Sequence, residues 1–431
     1  MVTRFSVSAP AARLAATVGV LLMVAGSAYS RPSDHTPGQP SPQFEWRLPV
    51  PAGTTIIEIE PTPAAVRSRQ RITVIPDLVI KERGDDLHYV FGSRPPSVEV
   101  DADGNFYVAE PMPRTGRVLM FDAEGEFVRM IGRSGQGPGE YLQPFTVEWV
   151  GNALFVFDPG QSRLTRWNGA GELLDGERSD ALRTFRSVRG LANGSLVGTR
   201  NLRGNEFDTG YLAVLRVDAD ITEQVEFVRA PWPTRILHPG FGEIPRTEPN
   251  AFYAGATTPG VAAAADGSVY VSTLDEYQVL AFEPDGTVRW ALRAPLPRLP
   301  LDDDEVDWLM AYHNIRFPEA QRSQIEWPER QFALGDIKVD GHGRLYVFPY
   351  VARGSELDDR PVDVYSPAGE QLFSGVMSGP MANMSWQTPP AHGPMLARAW
   401  QAAAADFIYG IVLDTDTEEW QVVRHRLSWP S

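Results

Sequence analysis

The stretch VEVDADGNFYVAEPMPRTGRVLMFDAEGEFVRMIGRSGQGPGEY, Val98 to Tyr141, decides the fold. Two apolar runs, Val98 to Val100 and Phe106 to Ala109, flank Asp101-Ala102-Asp103-Gly104. A second pair, Val118 to Phe121 and Phe127 to Ile131, flanks Asp122-Ala123-Glu124-Gly125. Glycine closing each acidic tetrapeptide supplies the positive φ of a tight hairpin turn, and the leading Asp can bond the turn backbone. Two such hairpins in series predict a four-stranded antiparallel meander.

A meander of this kind cannot bury both its faces alone and must stack against copies of itself. The second strand and its turn recur as DGNFYV (Asp103 to Val108), GNALFV (Gly151 to Val156), NGSLVG (Asn193 to Gly198), DGSVYV (Asp266 to Val271), GHGRLYV (Gly341 to Val347) and ADFIYG (Ala405 to Gly410), six copies in all. The second hairpin echoes from Arg163 to Leu174, Val279 to Leu292 and Val362 to Gly375. Radial arrays of four-stranded units close into β-propellers of ~4–8 blades. The prediction is therefore an all-β fold, a six-bladed β-propeller with loop and helix insertions on one face.

These repeats, with the loop IGRSGQGPGEY (Ile131 to Tyr141) after the first of them, resemble the NHL-repeat-like six-bladed β-propellers, especially bacterial exported propeller proteins. The resemblance runs from about Leu87 to Leu427 and implies a fold without implying a chemistry. NHL-like repeats carry Asp after the second strand. Here that place holds Glu110, Asp158 and Arg200 in the first three units.

The chain has 431 residues, 43% hydrophobic and 22% charged, enough for a large single core. A formal charge of −16 argues against nucleic acid and anionic membranes. With no Cys, disulfides, thiolate chemistry and Cys-based metal sites are excluded. In residues 1–30, Arg4 and Arg13 precede an apolar run, Leu14 to Ala25, and then small residues, which reads as a secretory signal. Residues 31–43 read as a flexible linker and 44–431 as one propeller domain. The expectation is an exported, periplasmic or extracellular monomer with no stable membrane insertion once the signal is cleaved.

Because the last unit lacks a fourth strand, a segment ahead of the first blade, Ile72 to Ile80 or a neighbouring N-terminal strand, is expected to complete it and so remove an open edge. Meander parity then sorts the loops. Turns between first and second and between third and fourth strands share one face and are short. The opposite face receives every insertion: Asn201 to Gly210, Ala230 to Thr258, Pro295 to Gln331, Ala352 to Arg360 and Met377 to Pro394. Asp302 to Asn314 reads as a short helix with acids in its first turn. Long insertions in compact domains tend to carry function.

Polar residues at blade starts and second-strand ends point to a tentative ligand site at the channel mouth on that face: Arg94, Glu110, Asp158, Arg200, Thr273 and Tyr350. Their mix of guanidinium, carboxylate and hydroxyl suits a polar or anionic small ligand. Glu110 and Asp158 can equally brace neighbouring loops. His238, His313 and His392 fall in three insertions, and three imidazoles can hold Zn²⁺ with an open position. Seven His in this length is an ordinary number, so that reading is the alternative. IGRSGQGPGEY lacks the Gly-Lys-Ser/Thr of a phosphate cradle and reads as a structural turn. The expected function is a non-enzymatic binding module for a peptide, glycan or small polar ligand, without cofactor. The alternative is a metal-dependent lyase or hydrolase using Zn or Ca.

Overall fold

In the computed structural model, the described residues are 48–431 apart from 92–96, 111–115, 204–208, 234–251, 254–259, 313–324, 327–329, 351–358, 380–399 and scattered single or paired positions. Ser97–Val100, Phe106–Glu110, Arg117–Phe121 and Phe127–Ile131 form the first antiparallel sheet, in sequence order. Equivalent sheets follow, the second from Thr146 to Arg178, the third from Phe185 to Pro233, the fourth from Gly260 to Ala294 and the fifth from Leu334 to Ser378. The sixth contains Ala402–Ala404, Phe407–Asp414 and Glu419–Ser428, with Arg71–Ile80 pairing antiparallel to the last of these. The fold is a six-bladed β-propeller, and the N-terminal strand completes its last blade.

First strands of consecutive blades touch from blade six through blades one to five, which makes them the ring around the axis. Cores lie between blades. Val98, Val100 and Phe106 pack against Ala402, Tyr409 and Ile411 across the seam of blades six and one. Tyr107 and Val118 pack against Val147 and Leu154 across the next. Phe227 meets Phe282 edge-on at 5.4 Å between blades three and four. Inner strands thus bury both faces, and second strands such as Phe106–Glu110 are buried throughout, whereas the outer strands Phe127–Ile131 and Leu173–Arg178 stay largely exposed.

The short turns have one geometry. The amide of Gly104 donates to the carbonyl of Asp101 and the amide of Asp101 to the carbonyl of Asn105, and the same pair of bonds recurs at Gly125, Gly267 and Gly286. Gly104, Gly125, Gly267 and Gly286 have φ of 85°, 83°, 90° and 91°, as a turn with a left-handed residue requires. Ile221 occupies that place in blade three with φ of 62°, and its side chain is buried in the core between blades two and three.

The N-terminal segment does more than fill one strand. Thr55–Glu58 lies parallel on the outer strand of blade four, with Glu58 opposite Arg293. Arg71–Thr73 lies parallel on Val376–Ser378 of blade five before the strand continues onto blade six. Residues 55–80 therefore form a strap along the rim of three blades. The insertion after blade four contains the helix Asp303–Tyr312, with Asp303, Asp304 and Glu305 in its first turn. In blade three the middle strands run to Arg203 and from Thr209, so both ends of the expected Asn201 to Gly210 loop are strand, and its middle, 204–208, lies outside the described residues. Among the described residues no helix is long and apolar enough to cross a membrane.

Candidate functional site

The ends of the second strands carry polar groups that are already occupied. Glu110 is buried and ion-paired with Arg117, its register partner on the third strand of blade one, and the Arg117 guanidinium also donates to the carbonyl of Leu87 at 2.8 Å. Asp158 is fully buried and accepts from the amides of Leu142 (2.7 Å), Gln143 (3.1 Å) and Gln161 (3.1 Å). Both carboxylates brace loops.

Arg200 is 8% exposed, lies over the ring of Phe185 and is ion-paired with Glu223. It therefore faces neither bulk solvent nor an unmatched charge. Thr273 is buried with no hydrogen-bond partner for its Oγ1. The Tyr350 hydroxyl donates to Glu305 Oε1 at 2.6 Å and so ties blade five to the helix of the insertion. Arg94 and the three histidines, His238, His313 and His392, lie outside the described residues. Among the described residues no group of three or more His, Asp or Glu is placed to hold a metal ion.

The loop IGRSGQGPGEY is bound into the body. Arg163 donates to the carbonyls of Gly137 (2.6 Å) and Gln136 (3.2 Å), and the Gln161 amide donates to those of Glu140 (2.8 Å) and Gly135 (3.1 Å). Glu140 closes the loop on itself by accepting from Gly137 and Arg133. This is a structural connection between blades one and two.

What the fold does bring together is a set of ionisable side chains, Glu99, Glu148 and Arg189, on the first strands of blades one to three. Counting back two residues from the residue that opens each first turn gives Glu99, Glu148, Arg189, Ala262, Lys338 and Ala402 in blades one to six. Side chains alternate along a strand, so equivalent positions point the same way, toward the following blade. Glu148 Oε2 accepts from the amide of Gly190 at 3.0 Å, and Arg189 Nη1 lies 3.5 Å from Glu148 Oε1. Lys338 is 3.0 Å from Asp336 on its own strand.

Glu99 has a different lot. Its Oε1 accepts from the amide of its neighbour Val100 at 2.9 Å. Burial and then the charge of Glu148 hold its pKa well above the carboxylate range. Burial also raises Glu148, with Arg189 opposing. Glu99 is half-buried by accessible area, so solvent reaches it although protein surrounds it. The cluster lies near the short-turn end of the first strands, deeper than the expected mouth. The signal was present in sequence: aligning the six first strands on their turns puts Glu, Glu, Arg, Ala, Lys and Ala in one column.

Residues 97–189 match a family model described as a 6-bladed beta-propeller. No curated protein matches the sequence. Solved structures that resemble the chain include a protein of Bacteroides fragilis described as exported, with 11% identity, 87% of this chain and 100% of that chain covered and a TM-score of 0.48. Virginiamycin B lyase of Staphylococcus aureus has 9% identity, 78% and 96% coverage and a TM-score of 0.37. The calcium-binding protein regucalcin of Agrobacterium tumefaciens has 10% identity, 84% and 97% coverage and a TM-score of 0.39.

Proposed function

We propose that the chain is an exported, monomeric propeller that acts as a non-enzymatic binding module, holding a peptide, glycan or small polar ligand in its channel. The observation that carries this reading is the cluster of Glu99, Glu148 and Arg189, with Lys338 at the equivalent position of blade five. A rigid scaffold placing carboxylate, guanidinium and ammonium groups around one axis suits recognition of a ligand with several polar groups. Entry would be from the face with the insertions, where Tyr350 and Glu305 fix one wall.

The test is a thermal-shift panel of free amino acids, short peptides, oligosaccharides and dicarboxylates on the protein freed of residues 1–30, with each hit repeated on Glu99→Gln and Lys338→Ala. Stabilisation of wild type that both variants lose supports the channel site. Hits that both variants keep place binding elsewhere and overturn it. Export is tested separately, by N-terminal sequencing of the protein recovered from outside the cytoplasm: a mature start near residue 31 is expected, and an intact Met1 in the cytosolic fraction would defeat it.

A further inference from the structure

The outer strands of the blades are treated unequally. Blade four is extended by Thr55–Glu58, blade five by Arg71–Thr73, and blade six ends in Arg71–Ile80. On blades one and two, Phe127–Ile131 and Leu173–Arg178 are the last strands of their sheets. Four of the ten large apolar side chains left exposed among the described residues are on these two strands: Val128 (39%), Met130 (47%), Leu173 (37%) and Leu174 (54%). The turn of blade two sits against the outer strand of blade one: Arg129 donates to the carbonyl of Ala170, and its Cδ lies 3.1 Å from where a side chain at Gly171 would begin, so Arg129 faces blade two and Val128 and Met130 take the opposite face of the strand.

Arg129 lies in the middle of that edge, exposed, with a backbone carbonyl as its partner and no carboxylate among the described residues. In a chain of net charge −16 an unmatched cation between two exposed apolar side chains is conspicuous. The covered edge shows what matches such a place. Counting from the turn glycines Gly125 and Gly286, Arg129, Met130 and Ile131 stand where Trp290, Ala291 and Leu292 stand in blade four, and there the occupants are Thr55, Ile56 and Ile57, with Glu58 one place further on, opposite the cation of Arg293.

We propose that the outer edge of blade one, with the adjoining rim of blade two, is a β-augmentation site for an extended segment of another protein that alternates apolar and acidic residues. The partner strand would pair with the outer edge of Val128–Ile131, beyond Phe127, whose amide already donates to the Tyr89 hydroxyl at 3.0 Å and whose ring stacks on His88; it would cover Val128 and Met130 and bring a carboxylate to Arg129. Size argues for a strand over a folded partner. The four side chains expose on the order of 300 Å² of apolar surface, well short of the ~800 Å² per side of a standard interface. Unblunted apolar edges are otherwise aggregation liabilities, which gives the site a reason to be kept only if something uses it.

The probe is a fluorescent peptide with the sequence of Gly53 to Glu60, GTTIIEIE, measured by anisotropy against the protein freed of residues 1–30. Saturable binding is expected, weakened at least tenfold by Arg129→Glu and by Val128→Lys/Met130→Lys. A peptide with Lys in place of both Glu should invert the preference, binding Arg129→Glu better than wild type. No binding of either peptide overturns the proposal. Binding that ignores all three blade-one substitutions also does so, since the peptide would then be displacing the strap from blade four. Circular dichroism and the thermal midpoint of each variant, expected unchanged at these exposed positions, separate lost binding from lost folding.

Discussion

Arg67 Nη2 donates to Asp363 Oδ2 at 2.9 Å across 296 residues of chain, with only 11% and 2% of the two side chains exposed. Asp363 also accepts from the hydroxyls of Tyr277 (2.7 Å) and Ser374 (2.6 Å), so the strap is anchored to a network shared by blades four and five. Removing one partner of a buried pair leaves an uncompensated charge and costs about 3–5 kcal/mol. Arg67→Met should lower stability toward urea by about 3 kcal/mol and admit protease cleavage between residues 55 and 80 before the body unfolds. Asp363→Asn added to Arg67→Met should recover part of the loss, since the stranded charge is then gone. A single variant as stable as wild type would mean the strap is held by strand pairing alone.

A second test concerns an orphaned hydroxyl. Asp101 accepts from the hydroxyl of Tyr107 at 2.9 Å, and Asp340 from that of Tyr346 at 3.0 Å, six residues on in both cases. Blade four keeps the tyrosine, Tyr270, but has Ala264 where the acid belongs, and the Tyr270 hydroxyl is buried without a partner. Ala264→Asp should satisfy it and raise stability by about 1 kcal/mol. A loss of stability would show that the cavity at Ala264, which is 5% exposed, has no room for the carboxylate.

The strength of the fold reading lay in local chemistry: Asp-Gly turns and apolar runs are written in consecutive residues, and the missing sixth outer strand followed from counting. Glu110 and Asp158 could be named but not assigned, because whether a carboxylate braces or binds depends on amides such as Leu142 and Gln143, brought to it from the neighbouring connection. Arg200 departed from the repeat, and that departure is explained by Glu223. The cluster was legible only as a column across six repeats; no single Glu99 or Lys338 marks itself. The strap on blade four, by contrast, has no repeat to betray it.

Backbone strain can be separated from crowding at two glycines. At Gly104, φ is 85° and an added Cβ would meet only Ala123 at an ordinary 3.4 Å. Gly104→Ala should therefore cost about 1 kcal/mol, the left-handed penalty alone. At Gly132, φ is 70° and the Cβ would also fall 2.7 Å from the carbonyl oxygen of Gly139. Gly132→Ala should cost distinctly more than Gly104→Ala in the same urea titration, and equal costs would contradict the packing of IGRSGQGPGEY against blade one.

Acid stability should depend on His425. Its ring is 3% exposed, its Nδ1 has no partner, and burial lowers its pKa to about 4, with Asp77 opposing. The unfolded value is about 6.5, so the folded state resists protonation; the stabilisation is complete above pH 6.5 and is lost as pH falls toward 4. A shift of that size corresponds to about 3 kcal/mol. His425→Leu should remove this limb of the pH profile, leaving urea midpoints flatter between pH 6.5 and 4 than those of wild type.

Glu99 should produce the opposite limb. Its folded pKa is raised, first by burial and then by Glu148, so the folded state binds a proton that the unfolded chain releases near pH 4.3. The contribution is fully present below that pH and drains as pH rises through the folded value. Glu99→Gln keeps the shape of the protonated acid and cannot ionise. Wild type should therefore lose thermal stability relative to Glu99→Gln as pH is raised from 4 upward, while Glu148→Gln, by removing the repelling charge, should move the wild-type fall to lower pH. The two acids sit one blade apart in the same cluster, so their protons leave as a coupled pair and the fall should be broader than a single titration. Parallel curves for wild type and Glu99→Gln would show that Glu99 ionises freely in the channel, and the cluster would then offer a ligand a carboxylate already charged at neutral pH.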